Sequence, residues 1–393
     1  MAKGGHHLWV RCWGIPALAA LVSITLLAAC SSSASTSASQ TTTATIDVTR
    51  TTTAQVTPTP TNSGSGTQAQ PTTPLSQLTI YAGTSNDAFY GLNAANGAKR
   101  WQYAVSGPPN KPTIANQIVY ITTESGYVYA IKAGALIWSK QFSAGILGRP
   151  AIDGNMLYFG AENDLVYALN TSDGSERWHY ATGGMISGSV SVANGIVFVG
   201  SADSYVYALN GSSGSLLWRY NTAAAIEFTS PTISNGTVYV GADNGGVYAL
   251  DAGNGSRKWM YQTGGQLFGK PAVTGGMVYI GSSDHYIYAL DAGSGALKWR
   301  HQTGDSVIGT PNVANGVVYI TSADNTLYAL NASSGQTRWT FARSGFGRMW
   351  PSISQGIVYI GAYDNTLYAL NAASGSIIWK FQANGQVSSP QIG

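Results

Sequence analysis

The sequence predicts an all-β chain folded as an eight-bladed β-propeller of four-stranded antiparallel blades, and three observations carry that expectation. Tryptophans recur at Trp101, Trp138, Trp178, Trp218, Trp259, Trp299, Trp339 and Trp379, at spacings of 37, 40, 40, 41, 40, 40 and 40 residues. A fixed period near 40 residues marks a supersecondary unit that repeats and stacks on its own copies. Turn-forming residues return at three fixed places in each unit, and the two ends of the chain carry complementary fractions of one unit.

Within a unit, Asn194-Gly195, Asn235-Gly236 and Asn315-Gly316, with Gly275-Gly276 in the same place, suit a two-residue hairpin turn whose central residues take positive φ. Asp203-Ser204, Asp243-Asn244, Asp284-His285, Asp324-Asn325 and Asp364-Asn365 mark a second turn one strand later. A third turn, such as 251–255 or 291–295, opens on Asn or Asp and ends in Gly. Three turns join four short strands. Segments such as Val238-Tyr239-Val240 and 206–209 are apolar on both faces, as a sheet sandwiched between two neighbours requires. Sheets stacked radially in a closed ring solve the exposed-edge problem, whereas a superhelix of β-arches fits the hairpin chemistry less well.

Closure is read from the termini. The unit that begins near Leu78 has its second, third and fourth strands but no first, and residues 388–393 match the first-strand pattern of 229–233 with nothing after it. The N-terminal strands plus the C-terminal strand therefore make the eighth blade, and residues 78–393 form one propeller, expected to be monomeric.

Residues 1–29 read as a signal peptide. Lys3 and Arg11, in a positive N-terminal stretch, precede an apolar run from Ile15 to Leu27 that is short for a membrane span. Leu27-Ala28-Ala29-Cys30 resembles the lipobox of bacterial lipoproteins, which implies a lipidated Cys30, an anchor in the bacterial membrane and an extracytoplasmic location. Cys12 lies inside the signal, so Cys30 is left without an internal disulfide partner. Residues 30–77 are a Ser/Thr/Pro-rich tether with 24 Ser or Thr among 31–77. Such a segment cannot bury enough apolar surface to order itself. As a flexible coil it would hold the domain roughly 40 Å from its anchor.

Without Lys3 and Arg11, 18 basic residues face 17 acidic ones. That balance offers no footprint for nucleic acid. Charged residues are only 9% of the chain and glycines number 48, as in repeat proteins rich in tight turns.

The core of each unit, for instance Tyr288 to Gly295 followed by Trp299, resembles the tryptophan-docking motif of the pyrroloquinoline-quinone-like (PQQ-like) repeat family. The resemblance covers 78–393 and implies that all eight tryptophans pack structurally against the next blade. Tyr90, Tyr129, Tyr167, Tyr207, Tyr248, Tyr288, Tyr328 and Tyr368 are likewise repeat core. The unit around Tyr129 lacks two residues from its third turn. One branch of the family holds PQQ with calcium in the propeller centre as an alcohol or sugar dehydrogenase, and none of its catalytic or calcium motifs maps onto this chain. Another branch resembles an anchored, non-enzymatic assembly scaffold. The expected role is accordingly non-catalytic binding of a protein or cell-envelope partner, with no catalytic residue, no metal and no cofactor; a PQQ-dependent oxidoreductase, with Lys111, Arg149, Lys270 or Arg348 pairing the cofactor's carboxylates, is the alternative.

Candidate partner or ligand residues are those that break the repeat in the connections between units: Lys111, Arg149, Glu227, Phe228, Phe268, Lys270, Asp305, Phe346, Arg348 and Trp350, with Arg343 and Met349 nearby. Trp350 stands out of step with the tryptophan series, where other units have Ser, Thr or Lys before a proline. Basic residues outnumber acidic ones in this set, which favours an anionic or mixed polar partner. Glu227 and Asp305 are expected to approach one another over the central opening. His179, His285 and His301 fall in different repeat contexts and do not suggest a shared metal site.

Overall fold

A computed structural model describes residues 73–343, 345 and 349–393. The signal peptide, Cys30 and most of the tether lie outside the described residues. The remainder is all β: eight four-stranded antiparallel sheets, in seven of which the strands follow chain order. We number the blades 1 to 8 and their strands a (innermost) to d. Strands a are Thr113–Ala115, Ala151–Asp153, Ser191–Ala193, Thr232–Ser234, Ala272–Thr274, Asn312–Ala314, Ser352–Ser354 and Gln391–Ile392.

The a–b turns take the expected conformation, with φ of 51° and 72° at Asn194-Gly195 and 47° and 68° at Asn235-Gly236. Both central residues are left-handed, so the twist of the turn matches that of its strands.

Blade 8 is built from both ends of the chain. Its inner strand Gln391–Ile392 pairs antiparallel with Thr79–Gly83 in the register Ile80↔Ile392 and Tyr81↔Gln391. Backbone bonds run from Thr79 N–H to Gly393 O (2.8 Å), from Gly393 N–H to Thr79 O (3.1 Å) and from Ser388 N–H to Gly83 O (2.9 Å). The clasp also extends further back than the sequence indicates: Thr84 bridges Val387, and the Tyr90 hydroxyl donates to Asn384 Oδ1 at 2.9 Å.

No single core fills the molecule. Eight apolar layers lie between successive blades, such as Tyr120, Val128, Ala130 and Trp138 of blade 1 against Leu157, Phe159, Tyr167 and Leu169 of blade 2. Alternate residues of one strand serve different layers. Tyr167 and Leu169 pack toward blade 1, whereas Val166 and Ala168 pack toward blade 3. This is the period-two geometry of a sheet buried on both faces.

Seven of the eight layers also have a polar clasp. The Trp178 indole N–H and the Tyr158 hydroxyl of blade 2 both donate to Gly211 O of blade 3, at 2.8 and 3.1 Å. Trp299 and Tyr279 share Ala332 O in the same way, Trp339 and Tyr319 share Ala372 O, and Trp379 and Tyr359 share Ala94 O. The indole lies on the glycine that ends the third turn of the next blade. Gly214, at φ 73°, would place a Cβ 2.7 Å from Trp178.

Trp101 differs. The third turn of blade 1 is shortened to Ala133-Gly134; Trp101 still lies on its glycine, where a Cβ would sit 2.9 Å from the indole, but makes no such hydrogen bond among the described residues. Its indole also leans over Gly91 of its own blade, where a Cβ would lie 2.3 Å from the ring and where the other seven blades have alanine.

Deleting 388–393 removes three backbone bonds and the inner strand of blade 8, so unfolding free energy should fall by about 3 kcal/mol or more; an unchanged melting temperature would refute closure through that strand. Trp178→Ala should cost about 3–5 kcal/mol in chemical denaturation, as expected for a buried aromatic with a lost hydrogen bond, and Trp101→Ala clearly less.

Candidate functional site

Strand a enters the ring through a proline in seven of eight blades: Pro112, Pro150, Pro231, Pro271, Pro311, Pro351 and Pro390. Proline suits the first position of a strand because its missing N–H breaks no ladder bond there, and it holds the preceding residue extended. The preceding position, taken around the ring from blade 1, is Lys111, Arg149, Ser189, Ser230, Lys270, Thr310, Trp350 and Ser389. The first seven line one central cavity of about 510 Å³. Lys111 and Arg149 also line a second cavity of about 390 Å³ that continues toward Ser354 and Gly393.

A ladder of hydroxyls binds this wall together. Backbone N–H groups of Arg149, Ser189, Lys270 and Trp350 donate to the hydroxyls of Ser189, Ser230, Thr310 and Ser389, each in the next blade, at 2.8 to 3.1 Å. Two residues further along, the Ser191 and Ser352 hydroxyls donate to Pro231 O and Pro390 O, both at 2.6 Å, and the Thr113 hydroxyl donates to Pro150 O.

Those last three hydroxyls have spent their protons on carbonyls and so turn lone pairs to the channel, where the cations find them. Lys111 Nζ donates to Ser352 Oγ at 3.1 Å, Lys270 Nζ to Ser191 Oγ at 2.9 Å, and Arg149 Nε to Thr113 Oγ1 at 2.8 Å. Both lysines reach back two blades. Lys111 and Lys270 come from blades 1 and 5, opposite one another in the ring, and Arg149 is the neighbour of Lys111. Among the described residues no carboxylate, that of Gly393 included, lies within 4 Å of any of the three. Burial, then the charges of Arg149 and Lys270, push Lys111 down to about 7; burial, then Arg149, push Lys270 down to about 8. Arg149 is lowered by burial.

Thus four of the sequence candidates, Lys111, Arg149, Lys270 and Trp350, meet in the channel wall. The others do not. Phe228 and Phe268, each two residues ahead of a ring position, form a half-buried ring pair 5.8 Å apart. Glu227 raises the pKa of Asp243, which burial in the first place pushes up to about 6. Asp305 is exposed, 3.8 Å from His285 Nε2, and its carboxylate accepts from Ser306 N–H. Neither Glu227 nor Asp305 lines the central cavity. Phe346 and Arg348 lie outside the described residues. The hydroxyl rings escaped the sequence reading, although the column before the proline, where Lys, Arg, Ser, Thr and Trp alternate, holds the signal.

Among the described residues no three His, Cys, Asp or Glu side chains converge as a metal site. The channel wall does not suit a calcium ion: calcium seeks carboxylate and carbonyl oxygens, and this wall presents three cations with hydroxyls and Asn312.

The sequence matches the model of the family described as "Outer membrane protein assembly factor BamB" over residues 106–185, 182–269, 263–348 and 342–392. The chain belongs to this family of PQQ-like repeat propellers. Outer membrane protein assembly factor BamB of Legionella pneumophila is 36% identical over 69 residues, covering 17% of either chain. Its counterpart in Escherichia coli is 34% identical over 85 residues, covering 19% of this chain and 22% of that protein. The chain thus matches only about a fifth of the length of these curated relatives. The crystal structure of BamB from Moraxella catarrhalis aligns with a TM-score of 0.65 at 20% identity, over 71% of this chain and 89% of that one. A europium-containing methanol dehydrogenase aligns at 0.62 and 14% identity, over 72% and 80%. These structural likenesses show the fold alone.

The titrations predict a stability minimum near neutral pH. Glu124, pushed up to about 7 by burial and then by the charge of Glu162, and Asp243 bind protons in the folded state that the unfolded chain has released, so stability falls as pH rises from about 4 toward 7. Lys111 and Lys270 give up protons that the unfolded chain keeps, so stability rises from about 7 toward 10.5. Melting temperature against pH should show both limbs. Glu124→Gln should flatten the acidic one and Lys111→Met the alkaline one, and a curve without a minimum would contradict these assignments.

Proposed function

We propose that the protein is a non-catalytic scaffold, tethered outside the cytoplasm by a lipid on Cys30, that recognises a protein or envelope component through the propeller face bearing the connections between blades. Membership in the assembly-factor family carries this reading, since curated relatives in two bacteria bear the name of a factor that assembles outer membrane proteins. The aromatic pair Phe228 and Phe268 supplies contact area on that face, and aromatic anchors dominate the energetics of protein interfaces. Residues 1–29 act as the export signal and 30–77 as the spacer that lets the domain reach its partner.

Two measurements test the proposal. Cys30→Ser should move the protein from the membrane to the soluble fraction, and retention at the membrane would remove the anchor. A photo-crosslinker placed at Phe228 or Phe268 in living cells should capture a discrete protein or envelope partner, whereas one at Ser213, in a third turn on the opposite face, should not. Equal capture from both positions would count against the assigned face.

A further inference from the structure

We propose that the central channel is a binding site for a small molecule carrying two negative charges on oxygen, of the phosphate-ester or dicarboxylate class, held between Lys111 and Lys270 with Arg149 at one side. The inference is independent of any protein partner on the outer face.

Three cations converge on one cavity, and among the described residues no carboxylate lies within 4 Å of any of them. A lysine ammonium carries three N–H donors and a guanidinium five. Each of the three side chains spends one on a hydroxyl, so eight of eleven N–H groups have no protein acceptor among the described residues. The hydroxyls on the ring add to this surplus. Ser189, Ser230 and Thr310 each accept a backbone N–H, and none donates to a protein acceptor among the described residues, which leaves their protons for the cavity. The wall is therefore rich in donors and poor in acceptors. An oxyanion is the complement of such a wall, and charge-assisted hydrogen bonds to it are about twice as strong as neutral ones.

The charges are arranged for a divalent group. Lys111 and Lys270 stand on opposite sides of the ring, and their anchors Ser352 and Ser191 stand opposite each other as well, in blades 7 and 3. An anion between them contacts both. The cavity of about 510 Å³ lies within the roughly 300–1,000 Å³ typical of small-molecule sites and exceeds what inorganic phosphate fills. Trp350, half-buried in the same wall, offers a flat apolar surface to the uncharged part of the ligand. The depressed pKa values of both lysines show that protonation is costly while no anion is present.

The test is thermal stability and titration calorimetry of the purified full chain with sodium phosphate, glycerol 3-phosphate, succinate or malate, against sodium chloride at matched ionic strength. At least one of these dianions should raise the melting temperature beyond chloride and bind with one-to-one stoichiometry. Response to the phosphates alone or to the carboxylates alone would support the site and assign its class. Lys111→Met and Lys270→Met should each weaken binding roughly thirtyfold or more, as truncation of a buried charged contact does. Both variants should melt in chloride no lower than the wild type, because each removes an uncompensated charge, so lost binding will not be confused with lost folding. A chloride-like response to every dianion, or equal binding by the double variant, would overturn the proposal.

Discussion

One carbonyl oxygen per blade interface organises most of this molecule. At six of the eight interfaces the third turn presents it to both an indole N–H and a phenolic O–H from the preceding blade; Ala252 O receives the Trp218 indole alone, since Phe198 replaces the tyrosine there. Two polar groups on large aromatic side chains are thereby buried without leaving a donor unpaired, which would otherwise cost a large part of what burying the rings gains. The glycine at the end of that turn is required twice over, by its positive φ and by the indole lying where a Cβ would be. Because the same clasp recurs with the same geometry, it fixes the pitch between blades, and a fixed pitch sets the number that closes a ring. Where the turn is shortened, at blade 1, the sequence compensates locally: Trp101 also packs over Gly91 of its own blade.

The pitch has a second consequence at the centre. Inner strands held at a constant separation bring the residue before each proline into a ring, close enough for the backbone N–H of one blade to reach a hydroxyl in the next. A scaffold built by the outer clasps thus creates eight corresponding places around a channel, outside the apolar layers between blades. Chemistry can vary there without touching the apolar layers. Functional groups on rigid, closely spaced strands are also better positioned than groups on loops.

The repeat made the fold legible. A period, three turn signatures and an incomplete unit at each end determine strands, blades and closure, and the coordinates agree with all of them. The site was legible only as a set of irregular residues. Phe228 and Ser230, or Phe268 and Lys270, are two residues apart, yet one of each pair lies on the blade-to-blade connection and the other in the channel wall. That division follows from where the proline starts the strand, a local geometric fact that residue identity does not announce. Trp350 drew notice as a large residue out of register, and its register is the explanation: it occupies the ring position that is lysine, arginine, serine or threonine elsewhere. The direction of each hydroxyl hydrogen bond, which makes the wall donor-rich, depends on which neighbour accepts, and no pattern of serines and threonines in the sequence carries that.

The cations are best understood against the serines and threonine that share their ring. Ser189, Ser230, Thr310 and Ser389 complete the hydroxyl ladder with neutral side chains, so the architecture is satisfied by a small polar residue at this position. Placing lysine or arginine there instead breaks the ladder, buries part of a charge and sets it against two others of the same sign; the lowered pKa values of Lys111 and Lys270 express that penalty. Among the described residues no carboxylate within 4 Å offsets it, and the acceptors supplied are neutral hydroxyls. An arrangement that weakens the folded state, at a position where a neutral alternative is already in use four times, has its explanation in what the channel holds rather than in what holds the channel together.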